Sequence, residues 1–268
     1  MLLTVQGHDA YCYTGGKPFD PALPSAIFIH GAQNDHSVWV LQTRYFAHHG
    51  INVLALDLPG HGRSQGAALT SVEAMAQWLL ALLDAVGVPQ AMLIGHSMGS
   101  LIALETCAQA PARVTRLALL GTAYPMKVSD ALLDAAKNDQ QKAIDMVNIW
   151  SHTPVAHKPS CPGPGFYIMG DSRRLMQHIA RRNPEKVFYL DFSACNAYAN
   201  GEAAAKSVTC PTLLLLGKRD MMTPPKAAGT LAKAIPHGKT MQIDNCGHAL
   251  MAEQPDAVLD ALFAFAKA

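Results

Sequence analysis

The feature that most constrains the fold is a series of short apolar runs, separated by longer amphipathic stretches. The runs cover residues 26–29, 52–56, 91–94, 117–120 and 212–216, and Gly, Pro or Asp stands close to each. Continuous apolar runs of this length are typical of strands buried on both faces of a parallel sheet. Parallel strands need crossover connections, so the intervening stretches predict helices on both faces. The chain is therefore predicted to adopt an α/β fold.

Start and stop signals place several helices. Ser71 is predicted to cap a helix over residues 72–86 that ends at Gly87. Helices are also predicted over residues 101–110 and 255–265, and the opening residues, through Tyr13, predict one or two antiparallel edge strands.

The alternation stops between residues 124 and 207. Helix-like segments at 130–151, 172–180 and 185–200 surround a Pro- and Gly-rich loop at 159–165, and no pattern typical of a sheet strand occurs there. We interpret residues 124–207 as a helical cap over the carboxyl edge of the sheet, inserted between two core segments, 1–123 and 208–268.

Charge narrows the choice of partners. The 268 residues carry a formal net charge of +1, and 15% of them are charged. There is no basic stripe for nucleic acid and no polybasic segment for anionic lipid. No apolar run reaches the ~18–20 residues that span a bilayer. We expect a small, neutral or weakly charged substrate, with no nucleic acid or membrane partner. Either a monomer or a dimer fits the sequence.

The first residues lack the positive and apolar segments of a secretion signal. The six cysteines are scattered, without a C-x-x-C pair, which favours reduced thiols. These two features predict a cytoplasmic protein.

The pentapeptide Gly95-His96-Ser97-Met98-Gly99 follows a predicted buried strand and opens a helix. A serine on such a sharp turn sits in strained backbone, and glycines two positions away relieve the crowding. The following helix N-terminus favours negative charge near the hydroxyl. Ser97 is therefore predicted to be a nucleophile.

A serine hydroxyl needs a base to remove its proton. His248 lies on a loop before the last helix, at the predicted carboxyl edge of the sheet, whereas His237 lies at the opposite end of the preceding strand. Asp220 follows the strand at 212–216 and is predicted to orient His248; Asp244 is a less well placed competitor.

Two further turns follow predicted strands. The turn after His30-Gly31 can direct the Ala32 N–H toward the same point as the Met98 N–H, which predicts an oxyanion hole. The second turn contains Asp57 and His61, which we expect to hold loops in place. The sequence contains no H-E-x-x-H motif, so no metal is expected, and surface positions are predicted for His48, His49, His152 and His157.

Taken together, these motifs resemble the α/β-hydrolase superfamily, in its capped esterase, C–C hydrolase and haloperoxidase-like branch. The resemblance rests on these segments: His30-Gly31, Asp57-Leu58-Pro59-Gly60-His61-Gly62-Arg63-Ser64, Gly95-His96-Ser97-Met98-Gly99, Gly217-Lys218-Arg219-Asp220 and Gly247-His248. It implies an eight-stranded, mostly parallel sheet with helices on both faces, and no cofactor. A serine nucleophile argues against the epoxide hydrolase and haloalkane dehalogenase branches, which use aspartate. Substrate identity does not follow from the fold.

The pocket is expected between the sheet edge and the cap. Its predicted lining residues are Trp39, Tyr124, Met146, Trp150, Met169, Met176, Met222 and Leu250. Arg173, Arg174, Arg181 and Arg182 are predicted to lie on solvated helix faces.

The leading hypothesis is hydrolysis of carboxylic esters of small, largely apolar substrates through an acyl-enzyme on Ser97. One alternative is C–C bond hydrolysis of a diketone-like ring-cleavage product, for which Asn34 and Asn196 are the candidates to bind a carboxylate of the substrate. The other is a ligand-binding protein of this fold with slow turnover.

Overall fold

The computed structural model describes residues 1–154, 167–183 and 185–268. The predicted loop at 159–165 and His157 lie outside the described residues. The strands are β1 (Leu2–Val5), β2 (His8–Tyr13), β3 (Ser25–Ile29), β4 (Asn52–Leu56), β5 (Ala91–His96), β6 (Val114–Leu120), β7 (Thr212–Gly217) and β8 (Gly238–Ile243).

These eight strands form one sheet in the order β1-β2-β4-β3-β5-β6-β7-β8. β1 pairs antiparallel with β2, and β2 pairs antiparallel with β4, whereas the pairs from β4 to β8 are parallel. The predicted eight-stranded, mostly parallel sheet with antiparallel edge strands is therefore confirmed.

The α-helices in the described part of the chain are α1 (Val40–His48), α2 (Val72–Val86), α3 (Met98–Gln109), α4 (Asp130–Asn138), α5 (Gln140–Ser151), α6 (Ile168–Arg182), α7 (Val187–Ala197), α8 (Gly201–Ser207), α9 (Gly229–Ala234), α10 (Leu250–Glu253) and α11 (Pro255–Lys267). Short 3₁₀ turns occupy His36–Trp39, Pro111–Arg113 and Pro225–Ala228.

The sheet separates two apolar clusters because alternate side chains of each strand point to opposite faces. In β3, Ile27 and Ile29 pack into the cluster that contains α2 and α3 residues. Ala26 and Phe28 pack into the other cluster, with residues of α1 and α11. Both faces are covered, which explains why the parallel strands read as continuous apolar runs.

The predicted helix 72–86 is confirmed as α2, including its caps. The Ser71 hydroxyl accepts a hydrogen bond from the Ala74 N–H, and Gly87 has a left-handed φ of 75°. α3 begins at Met98 rather than at the predicted residue 101, because Ser97 itself occupies the cap position.

Helices α4 to α8 lie between β6 and β7, where the cap was predicted. The segment 130–151 is two helices, because Asp139 ends α4 and caps α5 through the Lys142 N–H. The predicted segment 185–200 ends earlier, at Ala197, and α8 was not predicted. α8 contributes Ala204 and Ala205 to the apolar cluster beside α3. The division at residues 124 and 207 stays a prediction.

None of the described helices combines the length and apolar character needed to cross a membrane. The cysteines in the described part of the chain are free and buried. Sγ of Cys107 lies 3.9 Å from Sγ of Cys210.

Candidate active site

Ser97 occupies the turn between β5 and α3 with φ 53° and ψ −121°, a left-handed conformation that non-glycine residues seldom adopt. The strain is compatible with the fold because the flanking glycines allow close packing. A Cβ on Gly95 would lie 2.1 Å from the Gly99 carbonyl oxygen, and a Cβ on Gly99 would lie 2.3 Å from the Ile29 oxygen. Any side chain at Gly95 or Gly99 would therefore collide with neighbouring main-chain atoms, which explains the glycine two positions before and two positions after Ser97.

His248 and Asp220 are joined by a hydrogen bond of 2.7 Å between Nδ1 and Oδ2, and both side chains are buried. They come from loops after β8 and β7, which are neighbours in the sheet. A carboxylate oxygen only accepts, so Nδ1 carries the proton and donates. In the neutral ring, Nε2 is then left as a hydrogen-bond acceptor.

Four donors surround the Asp220 carboxylate. Oδ1 accepts the N–H groups of Met222 and Thr223, each at 2.8 Å. Oδ2 lies 2.7 Å from the Thr223 hydroxyl as well as from the imidazole. Burial opposes ionisation, but the neighbouring His248 and the Thr223 hydrogen bonds together lower the pKa of Asp220. The carboxylate is therefore a stable anion beside the ring.

Thr223 was not predicted to have a role. Its Oγ1 lies 2.9 Å from the Gly121 carbonyl oxygen and 3.0 Å from His248 Nδ1. One hydroxyl thus ties the Asp220 turn to the end of β6 and to the imidazole. Aspartate favours turns in which its side chain accepts nearby backbone N–H groups, so Asp220 is the local signal that the sequence displays.

The competing residues lie elsewhere. His237 is exposed and precedes β8, at the strand end opposite His248. Asp244 is exposed, and its Oδ1 lies 2.6 Å from Lys218 Nζ. Neither residue contacts the imidazole of His248.

His96, next to Ser97, was not predicted to have a role. Its Nε2 lies 2.8 Å from the main-chain oxygen of His248, so Nε2 carries the proton. Burial and the nearby His248 ring lower the pKa of His96 to about 3. His96 is therefore neutral at ordinary pH and anchors the His248 main chain.

The turn after β3 carries the predicted oxyanion donor Ala32. Nδ1 of His30 donates to the Gly31 oxygen at 2.8 Å, while Nε2 accepts the Leu58 N–H at 3.2 Å. This assigns the proton to Nδ1 of a neutral ring, and burial together with the adjacent His61 lowers the pKa of His30 to about 3. This contact holds the carbonyl oxygen of the Gly31–Ala32 peptide.

Met98, the second predicted donor, is the first residue of α3 and is buried. Its N–H belongs to the unpaired first turn of a helix, where about half a positive charge accumulates. A Cβ built on Gly31 would lie 3.1 Å from the Ser97 Cβ, so the two turns are in close contact.

Two cavities meet at Ser97. The larger has a volume of about 420 Å³, and the smaller about 180 Å³. Their walls share Ala32, Ser97, Phe192, Met222 and His248. Ser97 and His248 thus line the same space.

Three of the predicted lining residues lie in these walls: Met222 in both, Met176 in the larger and Trp150 in the smaller. Among the described residues, the others are absent from both walls. Trp39 packs edge-on against Phe28, and Leu250 is buried in the same cluster.

Tyr124 and Met146 also belong to the packing rather than to either wall. The Tyr124 hydroxyl donates to the Ala199 oxygen, and Met146 packs against an apolar cluster formed by residues of α4, α5, α6 and α7. Met169, at the start of α6, lines neither cavity in the described part of the protein.

His152 was predicted to be a surface residue, but it is 3% exposed and lines the larger cavity. The prediction was wrong because the end of α5 packs against the His248 loop, where the Ser151 oxygen accepts the Ala249 N–H at 3.0 Å. Asn34 lines the larger cavity, but its amide donates to the Ala32 oxygen at 3.1 Å. Asn196 accepts the Val128 N–H instead of lining a wall.

Asp57 holds the second glycine turn, as expected. Its carboxylate accepts the N–H groups of His36 and Arg63, each at 2.8 Å. Asp35, His36 and Asp57 bring ligand-type atoms within 4.8 Å of one another. The His36 ring donates to Asp57, and Asp35 accepts from Ser37, so hydrogen bonds within the turn account for this cluster.

Comparisons with known proteins show which family the chain resembles. The model of a family described as "Alpha/beta hydrolase family" matches residues 26–261. A relative from Acinetobacter baylyi, named (E)-2-((N-methylformamido)methylene)succinate hydrolase, is 25% identical over 247 residues, covering 89% of each chain. A pimeloyl-[acyl-carrier protein] methyl ester esterase from Aromatoleum aromaticum is 28% identical over 247 residues, covering 87% of this chain and 94% of the relative.

Solved structures are similar over the whole length. An enol-lactonase from Burkholderia xenovorans superposes with a TM-score of 0.86 at 20% identity, covering 100% of both chains. A thermophilic esterase superposes with a TM-score of 0.81 at 25% identity, covering 100% of this chain and 96% of the other.

Proposed function

We propose that this chain, which belongs to the alpha/beta hydrolase family and is a hydrolase, cleaves carboxylic esters. The substrates are small and largely apolar, and the reaction passes through an acyl-enzyme on Ser97. The observation that carries the proposal is the His248–Asp220 hydrogen bond, beside a cavity whose wall also contains Ser97. Asp220 fixes the imidazole with its Nε2 free to accept a proton. Roles for the three residues follow from that arrangement.

In the proposed reaction, His248 Nε2 takes the Ser97 proton as Oγ attacks the ester carbonyl carbon. The carbonyl oxygen becomes an oxyanion, which the N–H groups of Ala32 and Met98 stabilise. Each such donor typically lowers the barrier by about 3–4 kcal/mol. The imidazolium then gives its proton to the departing alkoxide, leaving the acyl group on Ser97. Water, deprotonated by the same imidazole, attacks the acyl carbon and releases the acid and the free serine.

The charged groups in the cavity walls favour an uncharged substrate. Among the described residues, the larger cavity is lined by no lysine or arginine, and its one carboxylate is Asp171. A substrate carboxylate there would lose hydration without gaining a cationic partner. Lys127 lines the smaller cavity, with its Nζ 3.2 Å from the Asn196 oxygen. An ester with an apolar group in the larger cavity fits this charge distribution better than a diketone-like carboxylate.

The test is hydrolysis of p-nitrophenyl butyrate by the wild type and by Ser97→Ala, His248→Gln and Asp220→Asn. We expect each variant to lose about 10⁴-fold or more in kcat. His237→Ala and Asp244→Asn are matched controls, because both residues are exposed and lie away from the site. No turnover by the wild type, or equal rates for wild type and Ser97→Ala, would reject the proposal. A slow ligand-binding protein would instead show kcat far below about 1 s⁻¹.

A further inference from the structure

Asp191, on cap helix α7, is fully buried and reaches two loops of the core. Its Oδ2 accepts the Gln33 main-chain N–H at 2.8 Å and a hydrogen bond from His61 Nε2 at 2.9 Å. Gln33 follows β3 and His61 follows β4. One carboxylate oxygen therefore connects the cap to two turns at the carboxyl edge of the sheet.

Gln33 is the residue after the proposed oxyanion donor Ala32. Its φ is 55°, a left-handed value that typically costs a non-glycine residue about 1–2 kcal/mol. The Ala32–Gln33 peptide is held at both ends, since Asn34 Nδ2 donates to the Ala32 oxygen and Asp191 accepts the Gln33 N–H. The Gln33 side chain also donates to the Met176 oxygen on α6, at 3.0 Å. The strained turn thus depends on contacts from the cap.

The ring of His61 supplies a positive charge beside the Asp191 carboxylate. Nδ1 donates to the Pro59 oxygen at 3.1 Å and Nε2 donates to Asp191, so both ring nitrogens carry protons. Burial disfavours the charged ring, but the Asp191 carboxylate and the Pro59 oxygen outweigh burial and raise the pKa of His61. The result is a buried ion pair between core and cap. Removing one member of such a pair strongly destabilises the protein, because the other charge is left buried without a partner.

We infer that Asp191 is a positioning residue for the oxyanion hole: it holds the Gln33 N–H, and through that peptide sets the direction of the Ala32 N–H. The cap therefore does more than enclose the cavity, because seating α7 completes the turn on which the reaction depends. This inference rests on the proposed function, since an oxyanion hole matters only if Ser97 forms a tetrahedral intermediate.

The test compares Asp191→Ala, Asp191→Asn and the wild type in p-nitrophenyl butyrate hydrolysis, with active sites counted by the burst from diethyl p-nitrophenyl phosphate. Counting sites removes any loss of folded protein from kcat. We expect Asp191→Ala to lower kcat per site by about 100-fold, comparable with loss of an oxyanion donor, with KM changed less than about threefold. Asp191→Asn is expected to stay within about tenfold of the wild type, because an amide oxygen can still accept the Gln33 N–H.

Asp145→Ala is the matched control, because Asp145 is a cap aspartate whose partner, Arg173, is on the surface. It is expected to leave kcat within about twofold, as surface pairs contribute little. Hydrogen exchange of the Gln33 amide, followed by NMR, gives a readout without turnover. We expect exchange in Asp191→Ala to be at least about tenfold faster than in the wild type, since the buried amide loses its acceptor.

A kcat per site within twofold of the wild type in Asp191→Ala would overturn the inference while leaving the proposed function intact. If the wild type itself shows no turnover, the proposed function fails, and unchanged protection of the Gln33 amide would then overturn the inference separately. Asp191→Leu, which keeps the branched shape of the side chain and accepts no hydrogen bond, replaces Asp191→Ala if the latter does not fold.

Discussion

The imidazole of His96 donates from Nε2 to the main-chain oxygen of His248 across 2.8 Å. His96 immediately precedes Ser97 in the chain, so the residue beside the proposed nucleophile fixes the backbone of the proposed base. The contact is independent of pH over the ordinary range, because the pKa of His96 is lowered to about 3 and the ring stays neutral.

Replacing His96 by alanine should therefore lower kcat by about tenfold or more, with a smaller effect on KM, because small misplacements of a catalytic group are costly. The comparison is p-nitrophenyl butyrate hydrolysis by His96→Ala and His237→Ala, each normalised to titrated active sites. Equal kcat values for the two variants would show that the His96 contact is unnecessary for catalysis.

Thr223→Val keeps the shape of the side chain and removes the hydroxyl that contacts Asp220, Gly121 and the imidazole. The hydroxyl carries one proton, so its removal deprives either the Gly121 oxygen or Asp220 Oδ2 of a donor, and a buried unpaired group costs about 1–3 kcal/mol. We expect a drop of that size in the free energy of unfolding in urea, together with a lower kcat. Thr115→Val, at an exposed position in β6, is the control. A loss no larger than that of the control would refute the assigned role.

Glycine contacts at the nucleophile turn predict a sharp contrast between two substitutions. A Cβ at Gly99 would lie 2.3 Å from the Ile29 oxygen, whereas a Cβ at Gly229, in α9, meets nothing within 4 Å. Gly99→Ala should prevent folding or destabilise the protein severely. Gly229→Ala should stabilise it by up to about 1 kcal/mol, the difference in helix propensity. Urea titration followed by circular dichroism measures both, and a Gly99→Ala protein as stable as the wild type would contradict the packing.

The His61–Asp191 pair predicts a specific dependence of stability on pH. The pKa of His61 is raised in the folded protein from an ordinary value of 6.5, so its contribution is complete below pH 6.5 and is lost as pH rises through the folded pKa. Asp57 also favours the charged ring, whereas neighbouring His30 is neutral.

His61→Gln should therefore cost about 3 kcal/mol at pH ~6 and clearly less at pH ~10, since it removes one member of a buried pair. Unfolding in urea at the two pH values, for wild type and variant, measures the difference. A cost that is the same at both values, or larger at alkaline pH, would contradict the charged pair.

Local signals predicted much of the fold. Ser71 and Gly87 bound α2 as expected, since capping depends on neighbouring backbone groups alone. The break at Asp139 was not predicted, because the apolar spacing continues from α4 into α5 and the aspartate also suits an exposed helix face. α8 has seven residues, too few for a periodic pattern to stand out.

The site residues also fall into those that local signals predict and those that depend on distant contacts. Ser97 and His248 follow from turn chemistry and from the topology of a parallel sheet. Asp191 and His96 act through contacts across 158 and 152 positions of the chain, and no local pattern marks such a partner. Trp39 was predicted to line the pocket, but the side of β3 on which it packs depends on how α1 docks. Contacts between distant parts of the chain therefore determine the surroundings of these residues, which local sequence patterns do not predict.

Covalent labelling tests most directly whether Ser97 is the nucleophile. The protein is incubated with diethyl p-nitrophenyl phosphate, and adducts are mapped by peptide mass spectrometry while hydrolysis of p-nitrophenyl butyrate is followed in parallel. If Ser97 is the nucleophile, we expect one diethylphosphoryl group per chain, on Ser97, with activity lost in proportion to labelling. Full loss of activity with the adduct on another residue, or full labelling of Ser97 with activity unchanged, would contradict it.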